Sequence, residues 1–541
     1  MSTLLRYLHT LRYLRPTQLL NRAWRELHRP KPDKRGAPAV RAVAGPWQAP
    51  VAGAPALVAA DRFRFLNVER DCATAADWQP RGVAKLWIYH LHYFDDLNAR
   101  DAAARLPWHR QLLERWVAEN PPARGDAWEP FPLSRRIVNW VKWTLRGEEL
   151  PAACRASLAV QARWLGVRVE YHLRGNHLLA NAAALVHAGL YFTGPEADRW
   201  CAHGMEIIAR QLREQVLADG GHFERSPMYH AAVLEDLLDL LNLLRAHARA
   251  PPADWVAVIG RMRHWLKVMT HPDGQIAFFN DAAFQIAPSS AALEAFAARL
   301  GLEAVADPRE PVTALEPSGY VRALTGPAYL VCDCAPLGPD YQPGHAHADT
   351  LSFELSLAGR RVLVNSGTSR YGVDLERQRQ RGTAAHNTVV VDDQDSSEVW
   401  RGFRVARRAR ACLWAARATP SGALIAGSHD GYRRLSGRNE HWRQWRLEEH
   451  SLHIEDRVSG QFRTAAAHLH LHPDVGVQVV SECELELTGT EGTCMRVTFD
   501  GAAAVEVRPC HWYPEFGVAV ANRCIVARFA GNTLATHMEW S

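Results

Sequence analysis

Gly344-His345-Ala346-His347-Ala348-Asp349, running on through Thr350-Leu351-Ser352-Phe353-Glu354-Leu355-Ser356-Leu357, decides how the chain is read. From Leu351 onward apolar and polar residues alternate, the period of a half-buried strand. Two histidines at i and i+2 are then expected on one face of that strand. A third, His386, opens the strand-like run His386-Asn387-Thr388-Val389-Val390-Val391. Histidine suits proton transfer near neutral pH and is the commonest metal ligand. Three of them on strands, beside a helical region rich in aromatics and arginine, point to an enzyme site.

Further alternating runs lie at 328–334, 362–364, 388–391, 452–454, 467–471, 475–480 and 518–520. They predict a large antiparallel assembly of two stacked sheets. Upstream the period is helical, with apolar residues three and four apart over 109–119, 133–145, 152–171, 178–191, 197–216, 231–247 and 255–269. Short links such as Gly194-Pro195 make successive helices antiparallel pairs, arranged as a solenoid or toroid. The texture changes near Asp307-Pro308 and Pro317-Ser318-Gly319. The expected fold class is α+β multidomain. Residues 1–85 are a Pro-rich segment wrapping the helical domain, 86–308 an α/α toroid, and 309–541 an antiparallel β-sandwich domain.

With 541 residues the chain exceeds one ordinary core. Its 63 basic and 58 acidic residues leave +5, too little for the dense basic stripe that nucleic acid demands. A local basic cleft for an anionic substrate fits that balance. None of the ten Cys forms a CxxC pair, so they are expected as buried thiols of a reducing compartment. Cys332 and Cys334 are near neighbours on an expected strand, a spacing unusual for a disulfide. Arg6, His9, Arg12 and Arg15 interrupt the start, so no signal-peptide core is read there, and no run is long enough to span a membrane. The expectation is a cytoplasmic protein, or a periplasmic or secreted one if a leader has been removed. Nothing in the sequence sets the oligomeric state.

Four constellations could carry chemistry. In Arg174-Gly175-Asn176-His177, Asn176 either caps a helix or meets a ligand carboxylate at the helix start. His222-Phe223-Glu224-Arg225-Ser226-Pro227-Met228-Tyr229-His230 packs more titratable groups than a cap requires. Trp128, Arg135, Arg136, Asn139 and Trp140 are either one solvated basic helix face or a sugar-acid cradle, in which rings stack and guanidinium groups grip carboxylate. Tyr89, in Trp87-Ile88-Tyr89-His90-Leu91-His92-Tyr93, is similar in kind. His345, His347 and His386, with Asn365 on a neighbouring run, form the fourth set. Dinucleotide, P-loop, HExxH and Gly-x-Ser-x-Gly motifs are absent.

Taken in order, Asn176-His177, Glu224-Arg225-Ser226-Pro227-Met228-Tyr229-His230, His345-Ala346-His347-Ala348-Asp349, Val364-Asn365-Ser366-Gly367 and His386-Asn387-Thr388 resemble the heparinase II/III-like polysaccharide lyases. The resemblance spans about residues 85 to 420. It implies an α/α toroid with an antiparallel β-sandwich, and β-elimination on a uronate-containing anionic polysaccharide. It also implies roles. Asn176 would neutralise the uronate carboxylate with His177 as helper, Tyr229 would protonate the departing oxygen and for some stereochemistries also take the C5 proton, and His345 would serve as the other general base. Glu224 and Arg225 would flank the cleft; from the constellations themselves, His230, Trp128, Arg136 and Tyr89 are further expected to bind substrate. His347, Asn365 and His386 would hold one structural divalent metal, zinc or manganese, although the family usually has Asp where this chain has Asn365. No organic cofactor is implied. Heparan-type, chondroitin-type, hyaluronan, alginate and exopolysaccharide polymers all stay open. Two other readings do too. One is a glycoside hydrolase using Glu224 with Asp349 or Glu129. The other is a non-catalytic glycan-binding or assembly protein of exopolysaccharide synthesis.

Overall fold

The structure is a computed structural model describing residues 3–489 and 492–541. Met1 and Ser2, counted above in the first segment, lie outside the described residues. Helices α1 (Thr3–Leu11) and α2 (Pro16–Leu27) precede a small antiparallel sheet of β1 (Leu57–Ala59), β2 (Arg62–Phe65) and β3 (Val68–Asp71). The helical body follows: α3 (Lys85–Tyr93), α4 (Leu106–Glu119), α5 (Pro130–Leu145), α6 (Ala152–Arg168), α7 (Gly175–Tyr191), α8 (Pro195–Gln215), α9 (Pro227–Ala246), α10 (Trp255–Val268) and α11 (Ser290–Arg299). This is the α/α toroid.

Helix α7 reads Leu-Leu-Ala-Asn-Ala-Ala-Ala-Leu-Val through its middle and is buried along nearly its whole length. A helix that is apolar all round belongs inside, and α5, α6, α8 and α9 surround it. Helices α7 and α8 cross backbone to backbone. A Cβ on Gly204 would sit 2.6 Å from the Ala182 carbonyl oxygen, and one on Gly189 would sit 2.5 Å from the Cys201 nitrogen. Several helices begin earlier than their periodicity suggests, because Pro130, Pro195 and Pro227 are first-turn residues, where the missing N–H costs nothing.

The second half has three sheets and one small ribbon. Strands β4 (Val312–Leu315), β5 (Tyr320–Thr325), β6 (Ala328–Asp333), β7 (Phe353–Leu357) and β8 (Arg360–Leu363) form a meander. Helix α12 (Leu375–Arg381) leads to β9 (Val389–Val391) and the ribbon of β10 (Val399–Trp400) and β11 (Arg404–Val405). Next come β12 (Ala411–Thr419), β13 (Gly422–His429), β14 (His441–Glu448), β15 (Ser451–Val458), β16 (Ala465–His470), β17 (Gly476–Ser481) and β18 (Glu484–Thr488). The last are β19 (Cys494–Asp500), β20 (Ala502–Trp512), β21 (Val520–Phe529) and β22 (Thr533–Trp540). The eight-stranded sheet runs β12-β13-β14-β15-β22-β19-β18-β17 and the four-stranded one β20-β21-β16-β9. A bridge between Leu363 and Leu471 joins the meander to the four-stranded sheet. That combined layer packs on the eight-stranded sheet through one core containing Leu330, Leu355, Trp445, Ile454, Ile525 and Met538. All ten cysteines are free thiols.

Two expectations need correction. His345 and His347 do not share a strand face. They lie in the irregular 334–352 connection, and the strand begins only at Phe353. The N-terminal segment wraps more than the helical domain. Residues 39–49 do run along it, with Ala44 and Gly45 N–H donating to the Ala246 carbonyl. Helix α1 instead lies on the β half, where Tyr7 meets the Trp400 ring edge-on at 4.9 Å and Thr10 Oγ1 accepts from Trp400 Nε1. Among the described residues no helix is long and apolar enough to cross a membrane.

Because Ala182 backbone cannot yield as a side chain could, Gly204→Val should destabilise the fold by about 2 kcal/mol or more. Thermal unfolding of the variant checks this, and an unchanged melting temperature would refute the close crossing.

Candidate active site

The toroid and the β half meet over one cluster. Ser226 caps α9, its Oγ accepting the Tyr229 N–H, which sets Tyr229 in the first turn facing the β half. The Tyr229 ring stacks on the His345 imidazole, with centroids 3.8 Å apart and planes at 15°. His345 Nδ1 is hydrogen-bonded to Glu224 Oε2. Glu224 Oε1 accepts the Asn176 N–H at 3.2 Å. The turn before Asn176 needs glycine. Arg174 and Gly175 both have positive φ, and a Cβ on Gly175 would sit 2.5 Å from Glu224 Oε1.

Burial alone would raise the Glu224 pKa, but the charge and hydrogen bond of His345, with help from His222 and the Asn176 N–H, hold it at about 2. Glu224 is therefore ionised and accepts the His345 Nδ1–H, which leaves Nε2 as the ring nitrogen without a hydrogen bond to the described residues. Burial, then the Asp281 and Glu224 carboxylates, push the Tyr229 pKa well above its ordinary value. Tyr229 is thus a phenol at neutral pH. Its hydroxyl lies 2.7 Å from that of Tyr371. The Asn176 side chain makes no hydrogen bond to the described residues, and its oxygen is buried. Beside it, His177 bonds to Glu170 through Nδ1 at 3.1 Å and packs on Phe131. Burial lowers the His177 pKa, but the Glu170 charge and hydrogen bond outweigh it and the net direction is upward. An uncharged amide and an imidazole biased towards its cation are chemically suited to receive a carboxylate.

Two models of one family match this chain. The model described as heparinase II/III N-terminus matches residues 93–297, and the one described as heparinase II/III-like, C-terminal matches 307–541. The chain belongs to the heparinase II/III-like family. It is 26% identical over 371 residues to a heparin-sulfate lyase of Bacteroides stercoris, covering 59% of this chain and 55% of that protein. It is also 26% identical over 423 residues to FtsZ-localized protein C of Caulobacter vibrioides, covering 72% and 70%. The chain spans about half the length of the heparin-sulfate lyases it matches. A solved heparinase III superposes with a TM-score of 0.71 at 18% identity over 86% of this chain and 79% of that one. A chondroitin AC lyase of Streptomyces coelicolor gives 0.54 at 13% identity over 84% and 75%.

Within this family frame, the structure separates the expected site residues. Asn176, His177, Glu224, Tyr229 and His345 come together. Arg225 does not reach the cleft. Its guanidinium is buried and donates to the carbonyls of Phe223, Pro317 and Ser318, clamping the linker. His230 is buried between the Met262 carbonyl, the His222 N–H and the Trp265 ring. Trp128 is core, stacked on Trp116 and donating to the Asn120 carbonyl. Arg136 is fully buried, 3.8 Å from the Trp116 ring centre, and donates to Gln161 and the carbonyls of His92 and Ala127. Tyr89 hydrogen-bonds Glu129, which also pairs with Lys85.

Sequence reasoning missed Asp281, Arg377 and Tyr371. Asp281 is buried, bound by both terminal guanidinium nitrogens of Arg377 and by His347 Nε2 at 2.8 Å. Arg377 also sits 4.9 Å from the centre of the Tyr371 ring. None belongs to a recognisable motif; only their burial together reveals them.

A divalent ion on His347, Asn365 and His386 meets a restricted donor set. His347 Nδ1 and His386 Nε2 face each other at 3.3 Å. The Asn365 amide donates to the Phe278 carbonyl and its oxygen accepts the Asn387 N–H. The nearby Asp281 carboxylate is taken by Arg377. Two imidazoles without a free carboxylate fall short of the four donors of a structural site. No chemical step below passes through this set.

The Glu224 environment has a stability signature. Its depressed folded pKa contributes stability that is complete above pH 4.5 and is lost as pH falls from 4.5 towards 2. Urea midpoints measured over this range should fall more steeply for the native chain than for Glu224→Gln. Parallel curves would contradict the assignment.

Proposed function

We propose that this chain is a polysaccharide lyase that cleaves a uronate-bearing anionic polysaccharide by β-elimination. The observation that carries the reading is the stacked Tyr229–His345 pair set on Glu224, beside the unpartnered Asn176 amide. The names of the heparin-sulfate lyase relatives favour a glycosaminoglycan as substrate.

In this mechanism Asn176, backed by the His177 ring, binds the uronate carboxylate and stabilises the charge that spreads onto it as C5 loses its proton. His345 Nε2 takes that proton. The C5–H electrons form the C4–C5 double bond, the C4–O4 bond breaks, and O4 takes the Tyr229 proton. No water is consumed, and return of the proton from His345 to Tyr229 resets the pair. Tyr371 keeps the Tyr229 hydroxyl in place. A hydrolase reading is weaker. Glu224 is held ionised; Asp349, whose pKa burial raises to about 6, is buried with Oδ2 taken by the Asn280 N–H; and Glu129 is tied to Tyr89 and Lys85.

The Caulobacter relative matches a larger share of both chains and is named for localization to FtsZ, not for a lyase activity, which keeps a non-catalytic glycan-binding role as the second reading. Incubation with a panel of uronate polysaccharides, followed by ultraviolet absorbance of the unsaturated product, separates the two. Tyr229→Phe should lose about 10²- to 10⁴-fold in kcat with little change in KM. Tyr371→Phe, losing one hydrogen bond, should lose less than about tenfold. Product from Tyr229→Phe at the native rate would reject the mechanism. Binding without product on every polymer would favour the second reading.

A further inference from the structure

A cluster of nitrogen and sulfur ligands lies outside the site described above. Strand β16 ends in His468-Leu469-His470. Ala465, Ala467 and Leu469 point into the sandwich core, so the two histidines share the opposite face. In register, His470 lies across from Cys524 on β21, and His468 from Val526. Cys510, on β20, lies across from Asn522, two residues before Cys524.

The side chains converge. Cys524 Sγ is 3.8 Å from His468 Nδ1 and 3.7 Å from His470 Nε2. Cys510 Sγ is 3.7 Å from His470 Nδ1. One ligand atom from each of His468, His470 and Cys524 can be chosen so that all lie within 4.8 Å of one another. Around a tetrahedral zinc, with Zn–S about 2.3 Å and Zn–N about 2.0 Å, neighbouring N and S ligands stand about 3.6 Å apart. The observed N–S distances are within a few tenths of that. His470 and Cys524 are buried, and partly exposed His468 leaves a route from solvent. Arg508 and Arg379 lie near the cluster, and each already pairs with a glutamate, Glu506 and Glu376.

We propose that His468 Nδ1, His470 Nε2 and Cys524 Sγ bind one zinc-class divalent ion, with solvent as fourth ligand and Cys510 orienting His470. The mixed soft donor set selects zinc over calcium or magnesium. His470 Nε2 now meets the Ala384 carbonyl at 3.0 Å. On binding, that nitrogen gives its lone pair to the ion and the ring changes tautomer, Nδ1–H donating to Cys510 Sγ. One net proton leaves, from Cys524. The ion clamps β16 to β21 beside the 383–385 turn that leads into His386.

The test uses the full chain, stripped of metal by a chelator and titrated with Co²⁺ and then Zn²⁺. One equivalent of Co²⁺ should give a thiolate-to-cobalt charge-transfer band and the visible bands of tetrahedral cobalt, and Zn²⁺ should abolish them. Zn²⁺ should also slow alkylation of Cys524 in the native chain, read by peptide mass mapping, a measurement that needs no variant. Cys524→Ser should lose the charge-transfer band, His470→Gln should weaken binding at least about tenfold, and His386→Gln should keep both. Absence of the band, its survival in Cys524→Ser, or equal alkylation with and without Zn²⁺ would overturn the proposal. So would binding lost in His386→Gln with Cys524 left unprotected, which would put the ion on His347 and His386.

Discussion

Asp281 holds the two halves of this protein to one geometry. Its carboxylate belongs to the 270–287 stretch between α10 and α11, yet its partners Arg377, His347 and Thr368 come from the β half. Its main chain does as much. The N–H donates to the His345 carbonyl, and the carbonyl accepts from Ser226 Oγ, whose own lone pair caps the turn bearing Tyr229. One buried residue therefore sets the position of the phenol and the imidazole relative to each other. A charge so far from water is stable only with full pairing, and removing one partner of such a pair typically costs several kcal/mol. Arg377 supplies that pairing and spends its remaining face on Tyr371 and Phe403.

The site gives its two stacked rings different environments. Tyr229 and His345 lie ring against ring, but the carboxylate that matters to each is different. Glu224 touches the imidazole directly and fixes its tautomer. Asp281 acts on the phenol through space and raises its pKa. The phenol keeps its proton at neutral pH, and the imidazole stacked on it is oriented by a carboxylate that the phenol does not touch.

Much of this was legible in the sequence. The change from helical to alternating period marked the passage from toroid to sandwich, and Asn176, Tyr229 and His345 stood in recognisable runs. What failed has physical causes. Arg136 and Trp128 looked like a sugar cradle because sequence shows an arginine beside aromatics but not which way they face; here the guanidinium is spent on main-chain carbonyls inside the toroid. His345 and His347 were placed on a strand because the alternating run begins just after them, whereas Asn280 and Asp349 pin that connection in an irregular path. Strands such as β14 were passed over because Arg443 and His441, charged or polar by type, are buried on the core side and paired with Asp456. Asp281 and Tyr371 carry no local signature, since their meaning arises from contacts across 90 residues or more of chain.

The crossing of Glu224 to His345 also says what kind of object the site is. Asn176, Glu224 and Tyr229 are fixed to the toroid, His345 and Tyr371 to the β half, and no single half holds a complete set. The cluster is an alignment between two halves of one fold, like the bore of a lock cut half in the plug and half in the casing. A substitution along the seam from Ser318 to Arg361 can therefore disturb the cluster without touching it, by shifting one half against the other.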